Sequence, residues 1–276
     1  MKTKTNDFFG TNSFPVIINS SIPKIGICIY PCLCSALLAS TVYSLPSHHH
    51  HYDQETASLI EDYNGPLPVD KLENVDQVII DRSTITVPDS KDISFPKLKK
   101  LHIKDSHLGN IPNSVLGAFS NLRNLDIVNS TIQNLNLHDF NTFTALEMFH
   151  LEHVKVGPLK AKEWTHLSKV TCLRISYGEV SHIDNEAFVG MENVEKLDLS
   201  GNDLHAFPKE ALAHLKKLKK VTLKHNKIES LGPKDLPHLP ELEKIDLEFN
   251  PIKEVDIEGL KEVAPKLKVI TIGNTV

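Results

Sequence analysis

The sequence predicts an α/β solenoid, a horseshoe of about eight to nine turns of 24 residues. A parallel β-sheet lines its concave face, and irregular or short helical segments form its convex face. Three observations predict it. First, the pattern L-x-x-L-x-L-x-x-N-x-L, with Val, Ile or Phe allowed for Leu, starts at Val75, Leu98, Leu122, Leu146, Val170, Val194, Leu218 and Leu242. The spacing across these eight starts is 23 residues once and 24 six times, and a ninth copy begins at Leu267. Second, an apolar residue followed by proline comes after the strand at Ile111-Pro112 and Phe207-Pro208. Third, a bulky residue recurs later in the turn at Phe140, Trp164, Phe188 and Leu212, and another three residues on at Phe143, Leu167, Met191 and Leu215.

The elements follow from this register. Alternate residues of a strand point to opposite faces, so the fourth and sixth pattern positions point into the core and the third, fifth and seventh point outward. One turn cannot bury its own apolar face, and stacking on its neighbours supplies the missing surface. Trp164 and Phe188 are accordingly core residues of the convex side and not part of a ligand site.

These motifs resemble the leucine-rich repeat family, and the resemblance covers Val75 to Val276. It implies that the ninth-position Asn turns its amide inward to satisfy backbone groups of adjacent turns, a role that falls to Asn202, Asn226 and Asn250. The earlier turns place Ser83, Ser106, Ser130, Val154 and Gly178 there. Serine replaces part of that bonding, and Val154 and Gly178 replace none, so the fourth and fifth turns are expected to be less regular than the last three. The SHLGNIP stretch and the Ser-for-Asn replacements are similar to arthropod secreted members of innate immunity and adhesion type. The cysteine-rich end caps of many extracellular members, and the cysteine motif and coiled coil of those immune members, have no counterpart here.

Residues 1–44 read as a secretory leader, residues 45–74 as a His-containing tail with an N-terminal cap, and residues 75–276 as the repeat domain. Lys2, Lys4 and Lys24 precede an uncharged apolar run from Ile25 to Val42, with a cleavage point after Ser44. The rival reading keeps residues 25–42 as an uncleaved membrane anchor, a length at the short end of a span. Cleavage takes the net charge from −5 to −7 and removes Cys28, Cys32 and Cys34, so Cys172 is the one cysteine left and no disulfide framework supports the fold. His48 to His51 start a solvated tail. A short helix over Glu55 to Tyr63 is the expected cap. The ninth strand presents an open edge that a partner, or a second copy in a homodimer, would cover.

The concave face follows from the outward positions. The third row reads Gln77, Lys100, Asn124, Met148, Cys172, Lys196, Lys220 and Lys244. The fifth reads Ile79, His102, Asp126, His150, Arg174, Asp198, Thr222 and Asp246, and the seventh Asp81, Lys104, Val128, Glu152, Ser176, Ser200, Lys224 and Glu248. In the C-terminal half, lysine and acidic rows are expected to neutralise one another in pairs such as Lys196 with Asp198. Asn124, Met148, Cys172, Arg174 and Tyr177, with His150, form the candidate contact patch, because Met, Tyr and Arg anchor protein interfaces. His102, Asp126, His150 and Glu152 lie in adjacent turns. Their chemistry suits a pH-sensitive interface better than a metal site, since histidine titrates near neutrality. Cys172 faces outward in an exported chain, which leaves three outcomes: a shielded thiol, an interchain disulfide or a modified thiol. Asn129-Ser130-Thr131 fits the N-glycosylation acceptor pattern at the exit of the third strand.

The charge balance argues against nucleic-acid binding, which needs a concentrated basic surface. No nucleophile–His–acid set, phosphate loop, cofactor motif or helical metal motif stands out, so the expected role is binding and not catalysis. The sequence thus points to a secreted module that binds a protein partner through its concave face, without stable membrane insertion once the leader is cleaved. The alternative is a membrane-tethered adhesion or receptor protein.

Overall fold

A computed structural model describes residues 56–273 together with a two-residue strand at Val16–Ile17. The 1–44 leader reading, apart from that strand, and the His48–His51 tail lie outside the described residues. One all-parallel sheet runs through the molecule in chain order. Its strands are Ala57–Glu61, Gln77–Asp81, Lys100–Lys104, Asn124–Val128, Met148–Glu152, Cys172–Ser176, Lys196–Asp198, Lys220–Thr222, Lys244–Asp246 and Val269–Thr271, with Val16–Ile17 beside the last. Neighbours pair one repeat apart, as Met148 does with Asn124 on one side and Cys172 on the other.

The inward positions build the core as the pattern requires. Leu173, Ile175, Leu197, Leu199, Val221 and Leu223 are all buried, and so are both bulky convex rows. Phe140, Phe149 and Trp164 form a chain of tilted and edge-on ring contacts, with centroids 4.8 and 5.4 Å apart. Trp164 Nε1–H donates to the Leu137 carbonyl at 2.8 Å. Pro112 and Pro208 each precede a one-turn helix, Asn113–Leu116 and Lys209–Leu212. A proline there loses no hydrogen bond, because the first helical N–H groups have no partner within the helix. A longer helix, Ile257–Val263, is capped by Asp256, whose carboxylate accepts from Gly259 N–H at 2.9 Å.

The ninth position works in two modes. Asn202 Oδ1 accepts from the Gly178 and Val180 amides of the preceding turn, while its Nδ2 donates to the Ile175, Leu199 and Ser200 carbonyls. Asn226 repeats this arrangement, and Asn250 accepts from Ile228 N–H while donating to the Leu223 and Leu247 carbonyls. A serine does less. Ser106 Oγ accepts from Ser83 N–H at 3.1 Å and donates to its own turn's Lys104 carbonyl at 2.6 Å, and Ser130 does the same for Ser106 and Val128. The asparagine amide claims the sixth-position carbonyl of its own turn, and the strands of those turns are three residues long against five in the serine turns.

Three expectations need correction. The fourth and fifth turns keep full five-residue concave strands, Met148–Glu152 and Cys172–Ser176, and are not less regular there than the last three. The interruption appears on the outgoing side, where a second sheet of Asn64–Pro66, Thr84–Thr86, His107–Leu108 and Thr131–Ile132 stops before Val154. Beyond it the Gly178 carbonyl accepts from both Val156 and Gly157 N–H, and the buried Val154 side chain fills the serine site with hydrocarbon. The segment read as a helix over Glu55 to Tyr63 contains the strand Ala57–Glu61, with Ile60 buried and Leu59 exposed, the period-two alternation of a strand. The edge strand Val269–Thr271, expected to be open, is paired in the full chain by Val16–Ile17, in the register Val16 with Ile270 and Ile17 with Thr271.

Candidate functional site

Every third-row residue from Gln77 to Lys244 is half-exposed on the concave sheet. Asn124, Met148 and Cys172 lie side by side on three consecutive strands, and His150 pairs in register with Arg174 one step further along them. Parallel strands lie about 4.8 Å apart, so side chains 24 residues apart in sequence are closer than those two apart on one strand. That geometry decides the charge pairs. Asp198 pairs with Arg174 Nε of the adjacent strand at 3.3 Å, and not with Lys196 as the sequence suggested. Arg174 also reaches Glu152 at 3.2 Å, while Lys224 bridges Asp246 at 3.3 Å and Glu248 at 3.0 Å.

His150 points from the concave strand yet is only 3% exposed. Its Nε2 lies 3.3 Å from Cys172 Sγ, so the thiol has an imidazole contact within the chain. Burial, and then the neighbouring Arg174 charge, hold the His150 pKa down to about 4, against partial compensation from Asp126 and Asp198. His150 is therefore neutral at pH 5.5 as at pH 7.5, and the expected change of charge near neutrality does not occur at this residue. The unfolded chain takes up a proton on His150 near pH 6.5, whereas the folded one does not until near pH 4. Stability is thus fully present above pH 6.5 and declines as the pH falls through this window, by about 3 kcal/mol in all. Urea denaturation of wild type and His150→Asn at pH 7 and pH 4.5 checks this: the variant lacks that share of the decline. His102, by contrast, sits half-exposed with Nδ1 2.8 Å from Asp126.

Tyr177 lies apart from the third and fifth rows, at the strand exit. There the backbone enters the left-handed region, with Arg82, Asp105, Asn129, His153, Tyr177, His225 and Phe249 at φ between 45° and 60°. Gly201 holds the same position at φ 70°, and a Cβ there would overlap the Tyr177 ring, which lies across it. Tyr177 stacks on His153 at 4.5 Å and tilts toward His225 at 6.1 Å, and His225 stacks on Phe249 at 4.2 Å. Of this aromatic rim the sequence reading picked out Tyr177 alone, because it otherwise followed alternate strand positions. The signal was present in the eighth residue of four repeats, His153, Tyr177, His225 and Phe249. Burial, and then the Asp198 and Glu152 charges, raise the pKa of the Tyr177 phenol.

Asn129 is exposed in one of these left-handed exits, where its amide donates to Asp105 Oδ1 at 2.6 Å. Among the described residues no cluster of three His, Cys, Asp or Glu could hold a metal ion, and no helix is long and apolar enough to cross a membrane.

The Leucine rich repeat family matches residues 202–252, the turns that carry the asparagine ladder. No curated protein matches the chain in sequence. Solved structures do. A chain of the Toll–Spatzle complex of Drosophila superposes with a TM-score of 0.58 at 16% identity, over 74% of this chain and 27% of that one. A leucine-rich-repeat protein of Leptospira interrogans gives 0.53 at 20% identity, over 72% and 55%. The plant peptide hormone receptor RGFR1 in complex with RGF2 gives 0.50 at 18%, over 77% and 34%. The chain thus spans between about a quarter and just over half the length of these proteins. At such identities the likeness concerns architecture, and the architecture is that of a leucine-rich-repeat solenoid.

Proposed function

We propose that this chain is an exported leucine-rich-repeat module that holds a protein partner on its concave face, in innate immunity or cell adhesion. One observation carries the reading: an unbroken parallel sheet whose third-row side chains are all half-exposed, with Asn124, Met148 and Cys172 adjacent at its centre. Arg174 and His150 support the patch from the next row, and Tyr177 borders it at the rim. That the Toll–Spatzle and RGFR1–RGF2 structures are complexes supports the same use of the fold. A glycan on Asn129 would stand at the strand exit and leave the third row open.

Affinity capture with the exported protein tests this reading. Met148→Ala, Arg174→Ala and Tyr177→Ala together weaken capture of the bound protein at least tenfold, about 1.4 kcal/mol or more. Retained capture by a folded triple variant removes the patch. N-terminal sequencing of the same preparation separates the exported from the tethered form, in which residues 25–42 stay as an anchor: a start near Leu45 excludes the tether. Cleavage at that point also removes Val16–Ile17 and leaves Val269–Thr271 as an unpaired edge, to be covered by a partner or a second copy.

A further inference from the structure

Lys196, Lys220 and Lys244 occupy the third position of three consecutive strands and face one another in direct register. Like charges directly opposite on adjacent strands destabilise a sheet. All three are half-buried, which limits screening by water. The carboxylates on either side are engaged elsewhere. In the fifth row, Asp198 is held by Arg174 and by Ser200 Oγ–H at 2.6 Å, and Asp246 by Lys224. In the second row, Glu195 pairs with Lys219 at 3.1 Å and Glu243 with Lys268 at 3.8 Å. Among the described residues neither Lys196 nor Lys244 takes part in an ion pair. Burial and the Lys244 charge also lower the Lys220 ammonium from its ordinary value, more than Asp246 and Asp198 raise it. The fold therefore holds a line of ammonium groups together and gives two of them no carboxylate.

We infer that this row is the docking line for an extended, carboxylate-bearing segment of the protein partner, lying across the strands of the C-terminal half. The inference rests on the concave-face reading above and deepens it. The row is flanked by carboxylates on both sides, Glu195 and Glu243 in the second row and Asp198 and Asp246 in the fifth, with Lys219 between the two glutamates. A broad polyanion such as a sulfated glycan would meet those acids, whereas a peptide chain carrying Asp or Glu along one side would meet only the lysines. The segment's acidic side chains meet the lysines at the centre, while the flanking carboxylates keep their own cations.

Fluorescence anisotropy with a labelled peptide of alternating Gly and Glu tests the inference, with a heparin oligosaccharide as comparator. The peptide binds the wild type, binding weakens as NaCl rises from 50 to 300 mM, and the Lys196→Met, Lys220→Met, Lys244→Met triple variant binds at least tenfold more weakly. Lys91→Met, at an exposed lysine outside the concave rows, leaves peptide binding within twofold of wild type. Because the lysines repel one another, the triple variant has a thermal midpoint equal to or above that of the wild type. Equal peptide binding by the triple variant overturns the inference, as does heparin binding at the row without peptide binding. A lowered thermal midpoint overturns it too, since it would mean that the lysines serve the fold. If the lysine variant captures the partner normally while the Met148, Arg174 and Tyr177 variant does not, the concave-face reading stands and this inference alone falls.

Discussion

Trp164→Ala lowers stability by about 3–5 kcal/mol, the range for emptying the space of a large buried aromatic. The indole is 1% exposed, lies edge-on to Phe149, and donates Nε1–H to the Leu137 carbonyl. Alanine removes the packing and leaves that carbonyl without its donor in a place water does not reach. Trp164→Phe keeps most of the volume and costs less, and its loss relative to wild type reports the hydrogen bond and the second ring. Each turn of a solenoid is stabilised only by its neighbours. The loss is therefore felt first around the fourth turn, and urea unfolding followed by circular dichroism shows a lower midpoint with a broader transition. An unchanged midpoint would mean that the convex rings do not bear on the stack.

Gly190→Ala is comparably severe for a different reason. Gly190 has φ +95°, a backbone conformation that L side chains rarely adopt. An added Cβ would stand 2.5 Å from the Trp164 carbonyl oxygen and 2.6 Å from Thr165 Cα, both backbone atoms of the preceding turn. Rotating a side chain cannot relieve that contact, so the fifth turn must move away from the fourth. Strain and overpacking together cost about 3 kcal/mol or more. Gly201→Ala offers the contrast, because its obstacle is the Tyr177 ring, which can swing outward. Thermal unfolding of both variants checks the ranking: Gly190→Ala melts well below Gly201→Ala, and the reverse order refutes the backbone argument.

The solenoid was readable in the sequence because the physics that selects inward residues acts on every turn alike. Val170, Leu173 and Ile175 fall where the pattern puts them, and so do Trp164 and Phe188. The first strand was not readable, because Ser58 stands where later turns carry a large apolar residue and its offset to the next strand is 20 residues. The concave rows were assigned to the correct face, but their chemistry depends on lateral neighbours. Nothing in the string HLE says that His150 is buried against Cys172, or that Glu152 meets Arg174. The ladder was half legible: Asn202, Asn226 and Asn250 bond as the resemblance implied, while the break at Val154 and Gly178 spares the concave strands.

The constant register has a consequence for how this molecule tolerates change. Since Asn124, Met148, Cys172, Lys196, Lys220 and Lys244 form one lateral file, the environment of each residue is written 24 positions before and after it. Substitutions that compensate for one another are therefore set by repeat distance and not by chain distance. A neutral change in one turn alters which changes the next turn can accept, and the face drifts file by file while the apolar frame beneath it stays fixed.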